Sequence, residues 1–459
     1  MGVACNVLLF LTLPVSAQVQ FRHTWDESTQ SWSPNLQSYP TNWATALIVN
    51  DNDTGSVTNH VRGNWVEKWG TGTLELRGQN SFTGFYANQG DVRIDGTGNS
   101  LAVNGNLAVS GTDGANVSVT NGGQLLYCTQ LSIGSSYGET GTLTVDGIGS
   151  RLEFMSAPVW NGTFNLTDGA TAYGTGYLQL MAERSLGHIA QANISGAGTI
   201  LEMRNGLQIG TFAGGGVDDT GGLNISGGAK VAVGNYSNVR VGQNGQIVVN
   251  GKNSSLESAA SIVVGNAYAK FLPGEFGELR LEDGAFASAA NGIQILDNGT
   301  MYASGATVLG NLTVDGLLTL AYSSITESFG LFVDGGVSIT GGMITCDFSA
   351  FDGWNTWDTS VRGDTEYLTL DMVSYTVNEM SFSLCEFNLI GIEAGMDAGW
   401  EYRVTEQRPS FMGHPGTWSL VFTRPYVEQP PVTGTPEPAT LLTLGLGAIG
   451  AGFVVRRRK

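Results

Sequence analysis

The residues of this 459-residue chain that could do chemistry are few, and they are not grouped as a reaction would need. Cleaving a glycosidic bond takes two carboxyl groups flanking it, one as acid and one as base or nucleophile. Asp218-Asp219 is the only adjacent aspartate pair, and it lies in a glycine-rich stretch well downstream of the nearest histidine, His188. The four histidines, His23, His60, His188 and His414, stand singly. No His-x-x-x-His or Cys-x-x-Cys spacing is present to seat a catalytic metal, and each histidine reads as an ordinary surface or cap residue. Asp51-Asn52-Asp53-Thr54-Gly55 alternates oxygen ligands ahead of a turn glycine, as a calcium loop begins. No Glu closes it at the twelfth position, so a solvated turn is the simpler reading. The expectation is a chain with no catalytic residue, no metal ligand and no cofactor.

Whatever positions these residues is made of short repeated strands. One unit runs from Asp91 to Leu101, as Asp-Val-Arg-Ile-Asp-Gly-Thr-Gly-Asn-Ser-Leu, and returns at 142–152 and 246–256, with a weaker copy at 193–201. Its marker glycines, Gly96, Gly147, Gly196 and Gly251, are 51, 49 and 55 residues apart, a period of about fifty. A second unit appears at 116–123, 223–229 and 279–285, and a third, shorter one at 131–134, 207–210, 239–242 and 262–265. Each sets two aliphatic residues two apart around a polar one, so one strand face is buried and the other wet. Each ends at glycine, which turns the chain sharply because positive φ is open to it.

Three strands per period of about fifty give roughly 17 residues per strand and turn, too few for a propeller blade and without the helices of a leucine-rich repeat. The predicted fold is all-β, a right-handed parallel β-helix of about a dozen rungs or more, with Leu143 and Val145 inside and Thr, Asn and Ser outside. At about 4.8 Å per rung the rod is on the order of 60 Å long. The repeats, over most of residues 71–310, resemble autotransporter-type passenger repeats. An antiparallel β-sandwich is the alternative, for which Asn121-Gly122 and Asn298-Gly299 would suit hairpins. Parallel β-helices also include pectin-degrading enzymes, which keeps a carbohydrate-active hydrolase or lyase as the alternative function. Gly187-His188 is a poor echo of the Gly-His-Gly of polygalacturonases, and it precedes the aspartate pair rather than following it.

The two termini say where such a rod would go. Pro436-Glu437-Pro438 is followed by an uncharged run over 439–455 and then by Arg456-Arg457-Arg458-Lys459. As a helix the run would span about 25 Å, just short of a hydrocarbon core, with Arg456 able to snorkel. Tripeptide, run and cations together resemble the PEP-CTERM sorting signal of Gram-negative bacteria. That resemblance implies passage to the inner membrane, processing by an exosortase, and display at the cell surface or release, with exopolysaccharide as a further partner. The alternative, a buried C-terminal helix, would leave four cations to place in a core. At the other end, residues 7–14 are apolar and Val15-Ser16-Ala17 suits a signal peptidase cutting after Ala17, although residues 1–6 carry no Lys or Arg.

The expected organisation is a signal peptide over 1–17, a cap rich in tryptophan over 18–70, repeats over 71–315, a β-rich C-terminal cap over 316–428, a Pro-containing linker over 429–435 and the sorting signal over 436–459. Glycine, 66 of 459 residues, is twice its ordinary share and charged residues, 13%, are half of theirs. Removing the four terminal cations takes the formal charge from −19 to −23, which excludes nucleic acid as a partner. Cys5 would leave with the signal, and the three cysteines left argue against a disulfide framework. Cys346 and Cys385 could pair in an oxidising compartment, and Cys128 reads as a buried thiol.

Overall fold

The computed structural model of the chain describes residues 21–425 apart from 34–43, 59–61, 136, 182–186, 212–218, 235–236, 266–275, 341, 352–353, 355–359, 363–364, 377–379, 383–385, 398–399 and 408–415. Alternation of aliphatic and polar residues drives strand after strand into a parallel β-solenoid with three faces. The first face holds fifteen strands, fourteen of them in one ladder from Thr54–Thr58 to Glu386–Ile390. Neighbours on that ladder are parallel, as where Val117 and Val119 stand opposite Leu143 and Val145. At about 4.8 Å per step the stack is about 60 Å long.

One rung shows how the faces connect. Gly245–Asn250 lies on the first face, Ser255–Ser258 on the second and Ile262–Val264 on the third. Each pairs in parallel with its counterpart in the next rung, at Gly277–Glu282, Phe286–Ala289 and Ile293–Ile295. Ile247, Val249, Leu256, Ile262 and Val264 all point inward and are fully buried. In earlier rungs the second and third faces are one bent strand, Gln124–Ile133 or Arg151–Val159, and the former bends at a bulge where Tyr127 takes φ of 62°.

The period of about fifty residues spans two rungs. The first and second repeat units occupy the same face in alternate rungs, Val117 of the second unit lying between Val92 and Leu143 of the first. They differ in their corners. The first unit leaves the face through a four-residue corner, the second through a three-residue corner with positive φ at its first two positions, such as Asn121 (52°) and Gly122 (86°). Gly162–Thr167 adds a further rung with the short corner, at Asp168-Gly169, so the two corners alternate over the eight rungs from Gly90–Asp95 to Gly277–Glu282. Three strands per rung therefore become six per period. Asn121-Gly122 turns the chain from one parallel face to the next, and Asn298-Gly299 leads into the strand Gly299–Ser304; neither makes a hairpin.

The long corner carries a side chain that locks the rungs together. Ser150 Oγ donates to Asp146 O at 2.6 Å, at the end of its own strand, and accepts the Gly122 N–H of the preceding rung at 3.1 Å. Thr199 does the same between Ser195 O (2.7 Å) and Gly169 N (2.8 Å), and Ser254 receives Gly228 N at 3.0 Å. Asn99 fills the position with an amide, donating to Asp95 O and accepting from Gly78 N. Each long corner thus caps the corner of the rung before it, which is why the sequence repeats every second rung.

The ladder is continuous through residues 71 and 315, so it takes in parts of the stretches expected as caps. Ala44–Ile48 already pairs in parallel with Arg62–Trp69, and Leu317–Ser323 with Met343–Asp347. Over the first rung fold the antiparallel strands Phe21–Asp26 and Ser31–Ser33. Their Trp25 and Trp32 stack edge-on at 5.2 Å above Gly55, and Trp32 Nε1 donates to Ser56 O, shielding the open end. At the far end Thr365–Tyr375 leaves the parallel ladder for an antiparallel sheet with Gly416–Pro425 and Glu401–Gln407. Phe329, Phe348, Phe351, Trp354 and Phe422 pack as one aromatic cluster at this end.

Candidate functional surface

The first face presents its outward side chains in straight columns, because each rung repeats the register of the last. In the middle column Thr144, Asn165, Asn193 and Asn224 stand one above another. Asn224 Nδ2 donates to Asn193 Oδ1 at 3.1 Å, and Asn193 Nδ2 to Asn165 Oδ1 at 2.9 Å. The amide is suited to this, since it donates from one end and accepts at the other. Several carboxylates of the face are held by a neighbouring rung. Asp95 accepts Thr120 Oγ1 and Asn121 Nδ2, both at 2.7 Å, and these bonds hold its carboxyl below the usual range.

Of the residues singled out for possible chemistry, Asp219 has a role in the fold. Asp219 is buried, and its Oδ1 accepts the backbone N–H of His188 at 2.9 Å, joining the starts of two successive rungs. Asp218 lies outside the described residues. His188 is itself buried, with no hydrogen-bond partner for Nδ1 among the described residues. His23 is buried too, at 1% exposure. His23 sits in the expected cap, facing inward, whereas His188, within the repeats, corrects the expectation of a surface histidine, because alternation turns it toward the interior. His60 and His414 lie outside the described residues.

The Asp51–Gly55 stretch closes as a turn, with Asp53 N–H on Asn50 O at 3.2 Å, Thr71 Oγ1 on Asp51 Oδ1 at 3.3 Å and Asn52 at φ of 63°. Among the described residues no three His, Cys, Asp or Glu converge as metal ligands. Cys128 and Cys346 are both buried and neither is in a disulfide with another described residue; burial pushes each thiol up to about 12. Cys385 lies outside the described residues.

Two features were not foreseen. Lys68 is fully buried near the first rungs, where Nζ donates to the carbonyls of Gly70, Gly72 (2.5 Å) and Gln89 (2.8 Å). Burial pulls its amine down to about 8 against the opposing pull of Asp91. The other is the corner Ser, Thr or Asn, which the repeat did display, just before the second face begins, without marking it as different from a solvated turn residue.

Residues 435–459 match the model of the PEP-CTERM protein-sorting motif. The chain therefore carries this motif, and with it the signature of an exported, surface-sorted protein processed by an exosortase. No curated protein and no solved structure matches the chain. The likeness to autotransporter passengers accordingly rests on the strand and glycine repeat alone. The tripeptide Pro436-Glu437-Pro438, the cations Arg456, Arg457, Arg458 and Lys459, the apolar run 439–455 and the leader ending at Ala17 lie outside the described residues. Among the described residues no helix is long and apolar enough to cross a membrane.

Proposed function

We propose that the body of this protein is a non-catalytic structural or adhesive rod, displayed at the cell surface or released from it and associated with an exopolysaccharide matrix. The observation that carries the reading is the first face itself: amide and hydroxyl columns bonded rung to rung, on a chain that ends in an exosortase sorting motif. Such columns offer many equivalent hydrogen-bonding positions and no convergent acid and base, and Asp219 is committed to a backbone amide. Signal peptidase would cut after Ala17, and residues 439–455 would hold the chain in the inner membrane until the exosortase acts.

The test is incubation of the purified full-length protein with neutral and acidic polysaccharides, following both retention on the polymer and the appearance of new reducing ends or unsaturated products. Retention without turnover is the expected result. Turnover that falls when Asp218 is changed to Asn would replace the rod with a carbohydrate-active enzyme.

A further inference from the structure

The first face is not uniform along its length. Between the rung of Ile189–Ser195 and that of Leu317–Ser323 it sinks into an open groove of about 660 Å³ running along the rod. Six rungs border it, and the five steps between them, at about 4.8 Å each, make it about 24 Å long. The depth begins where a side chain is missing. Gly222 stands in the outward column between Gln191 and Gln246, and a Cβ there would sit 2.5 Å from Gln191 Oε1.

Two aromatic rings border the groove. Phe276 is 48% exposed although its backbone is fixed, its carbonyl accepting Asn244 N–H at 3.1 Å while the next residue, Gly277, donates to Asn298 O. Tyr302 lies half-buried, with the Arg280 guanidinium 4.1 Å above its ring. Among the described residues, Glu278 and Arg280 are the only charged ones lining the groove. Arg280 is bonded to Glu278 at 3.2 Å and doubly to Glu282 at 2.9 and 2.7 Å, so its charge is taken up within the face. Among the described lining residues no cation is left to hold a carboxylate or sulfate, and the chain as a whole carries −19.

We propose that this groove binds a single strand of an uncharged, linear polysaccharide, a sugar face against Phe276, with Tyr302 bordering it on the side that Arg280 does not cover, and its hydroxyls on Gln191 and on the Gln246–Glu278 pair, which is bonded to itself at 2.5 Å and keeps lone pairs for them. An aromatic ring offers apolar area at low entropic cost, and amides and carboxylates suit dense hydroxyls. A groove open along the rod accepts a polymer, where a closed pocket would accept only its end. The proposal rests on the reading of the body as a matrix-associated rod.

Titration calorimetry on the full-length protein tests it, with cellohexaose and maltohexaose as uncharged probes and hexagalacturonate as the acidic one. At least one uncharged hexamer should bind, about ten-fold or more tighter than hexagalacturonate, and Phe276→Ala should weaken it by about ten-fold. Tyr302→Ala should act alike, and Tyr173→Ala, on the second face, should leave affinity within about two-fold. Phe276 is exposed, so its loss leaves the fold intact and the result readable. Binding that survives Phe276→Ala and Tyr302→Ala overturns the groove while sparing the matrix reading. Preference for hexagalacturonate overturns the ligand chemistry. Failure to bind the hexamers, with the protein still retained on polysaccharide, also sinks the groove alone; failure of both sinks the two together.

Discussion

Single residues in this fold matter according to which side of the strand they occupy. Val145 is fully buried among Val119 and Leu166 of the adjoining rungs, while Thr144 on the same strand faces outward. Val145→Asp should therefore destabilise by about 3 kcal/mol or more, since an unpaired carboxylate has no partner there. Thr144→Asp should cost under about 1 kcal/mol. Thermal melts of the two variants compare them, and equal melting temperatures would mean that the faces are wrongly assigned. Ser150→Ala removes one donor and one acceptor from a buried corner and should cost about 1–3 kcal/mol. Ser150→Thr should be tolerated, because Thr199 already fills the equivalent place with the same two bonds. If Ala proves as stable as Ser, the corner bonds contribute nothing.

Inward and outward residues were legible in the sequence because alternation is local: Leu143 and Val145 announce themselves within a few positions. The role of Asp219 was not legible. Its partner is the His188 amide in the preceding rung, and only the stacking of rungs brings them together. Lys68 was hidden for the same reason, since its acceptors are backbone carbonyls, which no side-chain pattern records.

At the scale of elements, strands and turns could be read but the rung could not. The two kinds of first-face strand look unlike in sequence because their corners differ, yet they stack in one ladder. The alternation of corners makes the two-rung unit the natural module, and this can be tested by deletion. Gly141 and Ala190 hold equivalent places two rungs apart, each opposite Gly162, so removing 142–190 rejoins the chain in register with its corners still alternating. Removing only 142–162 sets two short corners in succession and strips Gly122 of its Ser150 cap. The two-rung deletion should melt closer to the intact protein than the one-rung deletion, although it removes more chain, because repeat stability is a sum of neighbour terms. The reverse order would mean that the corners do not set the module.

The whole molecule joins a rod about 60 Å long to a sorting motif over 435–459, and its placement in the cell follows from the second, not the first. A solenoid of this kind is compatible with many activities, so the fold alone says little of location. The motif supplies export and exosortase processing, and the polar columns supply a surface that can meet a hydrated matrix. The most direct measurement is fractionation of cells that carry an exosortase, comparing the intact chain with one lacking residues 436–459. The intact chain should be retained with the cell envelope or reach the surface in processed form, and the shortened one should appear as soluble protein outside the cytoplasm. A shortened chain held in the membrane as firmly as the intact one would contradict the account.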